Sequence, residues 1–467
     1  MANVNKSSSF SADISNYIAK KTLPLAQRQL VAFQFGTPIT LPKNRGTSYT
    51  ATRYSRVPMP SGPLAEGVPS IGEIMPISQQ TATAQQWGDS VYITDVDMLT
   101  IEHDLFKEAM RVTALQLAET LERNTQNALM SGTNIGFANS KTSRANLLTT
   151  DVLGVTEINK AVGSLNTVGA PKFGARDMED DKLQLDVIRG EGGKNKPHYV
   201  AIIHPLVEQD LRSNTTMSLA WSYSDLEVLY NMEVGVWGGV RFTSTNMTPW
   251  YTGAALVTGA TSGTANGSTF TGANYQLFVT QTDPIFGYER IISQSSGNIA
   301  MTAGQNMTVT LPAATVTGYT FNCYLSAAGG TTPSTLALCA SGPTTGAYAG
   351  YATQLPASTT VALTGPGPTV ASLQSSATPS LVAPLPPATG VTVYPSFFIA
   401  KGAYGQVTLD SAHFEYLKDA DKSDPHNQLR VITWKIFYGT IILNQAFFLR
   451  FESGSNYSNV ITNGSLS

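Results

Sequence analysis

The sequence predicts an α+β chain made of an extended arm, one long helix, a mixed core and an inserted β-sandwich. Three observations predict it. Prolines punctuate short extended runs over 31–95. The run from His103 to Met130 contains neither Gly nor Pro. The 110 residues between Arg290 and Lys401 contain no Asp, Glu, Lys, Arg or His. At 467 residues the chain suits about three domains of ~150 residues each.

The arm comes first. Pro38, Pro42, Pro58, Pro60, Pro63, Pro69 and Pro76 separate extended runs such as Thr47–Tyr54. Proline fixes φ and removes a ladder donor, so these bends are pinned. The segment reads as a two-stranded arm, and two strands alone are marginal in water. An arm of this kind needs a surface to lie on. From Pro42 to Pro60 it carries Lys43, Arg45, Arg53 and Arg56 and no acid.

The helix over 103–130 follows. Leu105, Ala109, Val112, Leu115 and Ala118 form one apolar stripe, and Ser131-Gly132 ends it. At 1.5 Å per residue it would be ~40 Å long, which suits a spine for other elements. Glu102, Asp104, Glu108, Glu119 and Glu122 give this stretch an acidic side.

Gly190–Lys196 reads as a loop tip and His198–His204 as a buried strand. Pro205 then opens a helix at the position where proline is tolerated. Val240–Thr245 is another strand. The charge-free block carries β-type runs at 307–311, 320–325, 335–338 and 360–363, separated by Gly, Pro and Ser. It reads as a β-sandwich inserted over 291–390. Val431–Tyr438 and Phe447–Phe451 read as strands returning to the main core.

Composition narrows the function. Charged residues are 13 %, about half the usual ~25 %, and the net charge is −3. That excludes a strongly basic nucleic-acid binder, while 42 % hydrophobic residues exclude disorder throughout. Cys323 and Cys339 are too few for a disulfide scaffold or a four-cysteine zinc site, and read as buried thiols. The first twenty residues lack an apolar leader core, so a reducing cytoplasm is expected. Ile436–Phe451 is broken by Gly439, Asn444 and Gln445 and is too short for a membrane span.

Catalytic patterns are missing. Gly190-x-Gly192 lacks a third glycine, Gly193-Lys194 precedes Asn195 rather than Ser or Thr, and no Gly-x-Ser-x-Gly elbow occurs. His198 and His204 fall on one strand face, where hydrogen-bonded imidazoles are the plainer reading than a metal pair. Glu179-Asp180-Asp181 reads as a solvated loop, and Trp434 and Phe437 as core. No catalytic, cofactor-binding or metal-ligating residue and no cofactor is assigned, and the chain is not expected to be an enzyme.

The order of motifs carries a likeness: Leu41-Pro42-Lys43-Asn44-Arg45-Gly46, Arg53-Tyr54, Pro63-Leu64-Ala65-Glu66-Gly67-Val68 and Gln86-Trp87-Gly88. The long helix, Ile202-Ile203-His204-Pro205, Glu233-Val234-Gly235, Val240-Arg241-Phe242, Trp434-Lys435 and Leu449-Arg450-Phe451-Glu452 complete it. Over about 25–290 and 391–453 the chain resembles the major capsid proteins of tailed bacteriophages. The resemblance implies the tailed-phage and herpesvirus capsid fold. Its parts would be an N-terminal arm (1–30), an E-loop (31–95) and a peripheral domain (96–200) with spine helix 103–130. An axial domain and core (201–290), the insertion (291–390, Ig-like or fibronectin-like) and a return segment (391–467) would follow. Within this, Leu41–Gly88 correspond to the E-loop and Ile202–Leu211 to a strand and helix of the core. Trp87 stands where the family usually has Tyr, and most relatives lack the insertion, which is expected on the outer shell surface.

The implied function is a structural subunit that self-assembles through pentamers and hexamers into an icosahedral head around double-stranded DNA. Partners would be other copies, together with portal, scaffolding and decoration or cement proteins, and no membrane. The virion capsid, assembled in the host bacterial cytoplasm, would be its location. The expected interface residues are Lys43, Arg45, Arg53, Arg56, Glu66 and Trp87, with Glu102, Glu108 and Glu119 as acidic acceptors on an adjacent copy. The competing reading is an adhesin or tail-fibre-like protein whose Ser/Thr-rich sandwich binds a carbohydrate or receptor.

Overall fold

The computed structural model describes residues 31–458 except 43, 45, 55–56, 58, 60–61, 63–73, 101–104, 175–196, 215–229, 231, 254–256, 262–269, 271, 283–288, 296–297, 313–319, 326–336, 342–349, 352–359, 370–388 and 418–427. The expected N-terminal arm over 1–30 therefore lies outside the described residues. Contacts group the chain into two compact units. Of the described residues, the first holds Phe35–Thr125 and Gly402–Asn444, the second 31–34, Gln126–Lys401 and the segment from Gln445 onward. The segment 96–200, expected as one peripheral domain, is thus shared between the units at Thr125.

The first unit is built on a four-stranded sheet. Its order is Thr37–Thr40, Tyr404–Leu417, Leu429–Ile442 and Gln85–Thr94. Thr37–Thr40 runs parallel to Tyr404–Leu417 and the other pairs are antiparallel. Leu429–Ile442 buries Ile432, Trp434, Ile436 and Tyr438 at every second position, while Lys435 is exposed. This period of two makes it a strand with one covered face.

The cover is the long helix, Leu105–Met130. Its Leu117 and Leu121 pack on Trp434, Ile436 and Tyr438, and Trp87 joins the same cluster. Polar pins fix the register. Gln116 donates to Asp89 at 2.5 Å and accepts the Trp434 indole N–H at 3.1 Å. The Thr125 and Tyr438 hydroxyls meet at 2.8 Å. The helix begins at Leu105, and residue 103 of the expected span lies outside the described residues.

The second unit carries a seven-stranded mixed sheet. Its main path is Ile135–Phe137, Phe448–Ser453, Thr392–Ile399, Tyr199–Ile203, Val240–Ser244 and Glu233–Trp237. Tyr199–Ile203 is buried at all five positions, and Tyr199, Ala201 and Ile203 pack in one core with two helices. Helices Val155–Val168 and Pro205–Ser213 supply Ile158, Ala161, Leu165, Val207 and Leu211 to that core. Pro205 sits at the first helical turn, as its missing N–H allows.

The same unit holds an eight-stranded antiparallel sheet. Along its path are Val257–Thr261, Asn306–Thr310, Thr360–Thr369, Ala337–Ser341, Thr320–Leu325, Leu277–Thr282 and Glu289–Gln294. Leu277, Val279, Met307, Val309, Phe321 and Leu325 form its core. A two-stranded ladder, Ala273–Tyr275 with Ile299–Met301, adds Tyr275 and Met301 to the same core. Two differences from expectation stand out. Among the described residues hydrogen bonds join the strands along one path, which does not bear out an Ig-like pair of sheets. The sheet also starts near Val257 rather than at 291, because the loss of charge marks only its later strands. Glu289 and Arg290 themselves lie on one of its edges.

Candidate assembly interface

The arm is the hairpin of Ser48–Tyr54 and Ile77–Thr83, paired from Ser48↔Thr83 to Tyr54↔Ile77. Among the described residues no further strand extends this ladder, which is a sheet of two strands. Of its fourteen positions only Ala82 is buried. Hydroxyl pairs run along one face, with Thr50 and Thr81 at 3.0 Å. The root is anchored in its own unit. The Ala84 N–H bonds the Thr47 carbonyl at 2.8 Å, and Ala82 and Ala84 pack with Leu41 and Val407. Gly439 makes this crossing possible, since a Cβ there would stand 2.7 Å from the Thr83 carbonyl oxygen. The ten residues Gln85–Thr94 belong to the four-stranded sheet, so the projecting arm is shorter than the expected 31–95.

Away from the root the hairpin turns apolar and open. Tyr54, Val57, Met59, Ile74, Met75 and Ile77 are all exposed, Met59 at 92 % and Ile74 at 84 %. Tyr54 and Ile77 end the ladder and the other four follow just beyond it; exposed apolar side chains gathered in this way mark a contact surface. The charge pattern of the sequence pointed at the arm but could not show this group.

Of the expected interface residues, Lys43, Arg45, Arg56, Glu66 and Glu102 lie outside the described residues. Arg53 is exposed on the hairpin and donates to the Asn444 side-chain oxygen at 2.6 Å. Trp87 is not displayed on the arm. It sits partly buried, its indole N–H donates to the Tyr438 carbonyl at 3.3 Å, and the Arg123 guanidinium lies 5.9 Å from its ring. Glu108 accepts from Arg111 through the Nε–H, shared between its two oxygens at 3.1 Å each, and through Nη2, and these hold its carboxyl below the ordinary range. Glu119 is partly buried on the same helix. The structure therefore gives Arg53 and Glu108 partners inside their own unit and assigns Trp87 to the core.

A second open surface lies on the long strand Tyr404–Leu417. Thr37–Thr40 covers its outer edge only from Gly405 to Thr408. From Ser411 to Leu417 every residue is exposed, including Phe414, Tyr416 and Leu417.

No family model matches the chain, and no curated protein is similar to it. Solved structures do match over nearly its whole length. The Cyanophage Pam1 capsid is 10 % identical, with 97 % of this chain and 99 % of that chain covered and a TM-score of 0.49. The capsid of Ralstonia phage GP4 is 9 % identical, with 95 % and 96 % covered and a TM-score of 0.48. The head structure of Helicobacter pylori bacteriophage KHP40 is 9 % identical, with 98 % of each chain covered and a TM-score of 0.46.

The buried polar groups serve the scaffold. His198 meets the Tyr230 hydroxyl at 2.9 Å, whereas His204 caps the helix Pro205–Ser213 by accepting the Leu206 N–H on Nδ1 at 3.2 Å. Burial pushes the His204 imidazole down to about 3. Burial also pushes the Cys323 thiol up to about 12, so it is not poised as a nucleophile. The side chain of Cys339, Glu179-Asp180-Asp181 and Gly190–Lys196 lie outside the described residues. Among the described residues no group of three His, Cys, Asp or Glu is placed to hold a metal, and no helix is long and apolar enough to cross a membrane.

One cluster could not be read from the sequence. Glu452 is fully buried and takes two hydrogen bonds from Arg144, at 2.7 and 2.6 Å. Arg450 Nε lies 3.2 Å from the same carboxylate, and the Tyr251 ring stacks 3.6 Å from the Arg144 guanidinium. Burial by itself would raise the Glu452 carboxyl, but the charge and hydrogen bonds of Arg144, with the charge of Arg450, hold it below the usual carboxylate range.

Proposed function

We propose that this chain is a major capsid protein of a tailed bacteriophage, a non-catalytic subunit that builds an icosahedral head shell from pentamers and hexamers. The hairpin, two strands wide, almost wholly unburied and flanked at its far end by exposed apolar side chains, carries this reading. A ladder that small is marginal by itself, so it gains stability by lying on another copy. The order of sequence motifs described above supports the family. Many weak contacts repeated around a closed shell add up through multivalency. The net charge of −3 suits a wall around packaged double-stranded DNA that does not grip it. Portal, scaffolding and cement proteins would complete the assembly, with the mature subunit in the virion.

Negative-stain electron microscopy of the purified protein tests this. Closed shells, or rings with five- and six-fold symmetry, are expected. Monodisperse monomers would reject the reading, and trimeric fibres would favour the receptor-binding alternative. Met59→Ser with Ile74→Ser should reduce particle yield several-fold while leaving the melting temperature of the isolated subunit unchanged, since both side chains are solvent-exposed.

A further inference from the structure

We propose that the second unit holds a monovalent alkali cation in a buried oxygen cluster, bound by the Asp210 carboxylate and the Ser396 and Ser453 hydroxyls. The site is independent of the capsid reading.

Sheet register and helix period bring the three side chains to one side of the seven-stranded sheet. In the antiparallel ladder of Thr392–Ile399 with Phe448–Ser453, Ser453 stands opposite Tyr394 and Ser396 opposite Phe451. Opposed residues share a face, as do residues two apart on one strand. Tyr394 and Phe451 pack there with Val207 and Leu211 of the helix Pro205–Ser213. Asp210 follows Val207 by three positions and is buried with it, so it looks onto the same side. Two observations fix its place. Asp210 Oδ1 accepts the Asn456 N–H at 3.3 Å, three residues beyond Ser453. Its charge also acts on the Tyr394 hydroxyl, on the residue opposite Ser453.

The oxygens of this cluster are unsatisfied. Ser396 and Ser453 are fully buried and Asp210 is 4 % exposed. Among the described residues neither serine hydroxyl has a hydrogen-bond partner, and the Asp210 Oδ2 has none either. Protein interiors pair nearly all such groups, so unpartnered oxygens in one neighbourhood call for a bound species. Burial pushes the Asp210 carboxyl up, against hydrogen bonds from Ser455 and Asn456, and no cationic side chain offsets it.

Charge and donor type select the occupant. A water would serve the hydroxyls but leave the carboxylate charge unopposed. Donors that are all oxygen suit a hard cation. One carboxylate balances one positive charge, whereas a divalent ion would leave net charge in the interior. Among the described residues no group of three His, Cys, Asp or Glu is placed to hold such an ion. A bound alkali cation would fasten the segment after the last strand to the helix that carries Asp210.

Thermal melting of the purified protein in sodium, potassium and N-methylglucamine chloride, at one ionic strength, tests the site. The organic cation is too large for a closed cluster and reports salt effects other than binding. The midpoint should lie several degrees higher in sodium or potassium chloride and climb with the logarithm of that cation's concentration. The larger rise identifies the ion. Asp210→Asn keeps the shape without the charge and should abolish the difference between salts, whatever its own midpoint. Ser453→Ala keeps the charge and should raise the cation concentration needed for half the effect several-fold. Equal midpoints of the unaltered protein in all three salts would overturn the proposal and leave water as the occupant. A salt difference undiminished in both variants would place the ion elsewhere and overturn it equally.

Discussion

At the scale of single residues, the sharpest expectations concern the buried ions of the second unit. Removing one partner of a buried, hydrogen-bonded pair leaves the other charge uncompensated, at a cost of about 3–5 kcal/mol. Arg144→Met should cost no more than the lower end of that range, read as a shift in denaturant midpoint at unchanged slope, because Glu452 would lose both its hydrogen bonds but keep the charge of Arg450 at 3.2 Å. Acid acts on the same site. The folded Glu452 carboxyl lies below its ordinary value of 4.5, so its stabilisation is complete above that value. It is lost as pH falls through the lower folded value. His204 acts in a higher window. Its folded value of about 3 lies below the ordinary 6.5, so unfolded chain binds a proton that folded chain refuses. Stability therefore falls as pH drops from about 6.5 toward about 3. His204→Asn keeps an N-cap acceptor and removes that titration, so melting temperature should decline less between about pH 7 and pH 5 than in the unaltered protein. An equal decline would reject the assignment. In the sequence, alternation alone puts Arg450 and Glu452 on one side of a strand and Leu449 and Phe451 on the other. That both sides are buried, and that Arg144 arrives from 308 residues away, depends on tertiary packing and leaves no local signal.

At the scale of elements, local signals served well where they were long. The Gly- and Pro-free run gave the helix its C-terminal end at Met130, and Pro205 gave the second-unit helix its start. Trp434 was legible as core from the alternation around it. Trp87 was not, because the family likeness drew it to the arm while its strand pairs inside the sheet. The arm's first strand was legible. Its anchoring was not, since the deciding feature is a missing side chain at Gly439. Gly439→Val should push against the Thr83 carbonyl and cost about 1–3 kcal/mol. Limited proteolysis should then cut the hairpin faster than in the unaltered protein; an unchanged cutting rate would mean that the root is held elsewhere.

At the scale of the whole molecule, the chain combines well-packed units with surfaces whose apolar side chains are exposed among the described residues. The eight-stranded sheet shows how composition can mislead about boundaries. Its strands from Val257 to Thr282 carry ordinary β patterns, so only the later, charge-free strands drew notice. Openness at the arm and the long strand is the property from which the function is argued. A cryo-EM map of particles formed by the purified protein tests it most directly. The account predicts each hairpin resting on an adjacent copy, with its exposed apolar end covered. A map in which every hairpin stays against its own subunit and touches no other copy would contradict it.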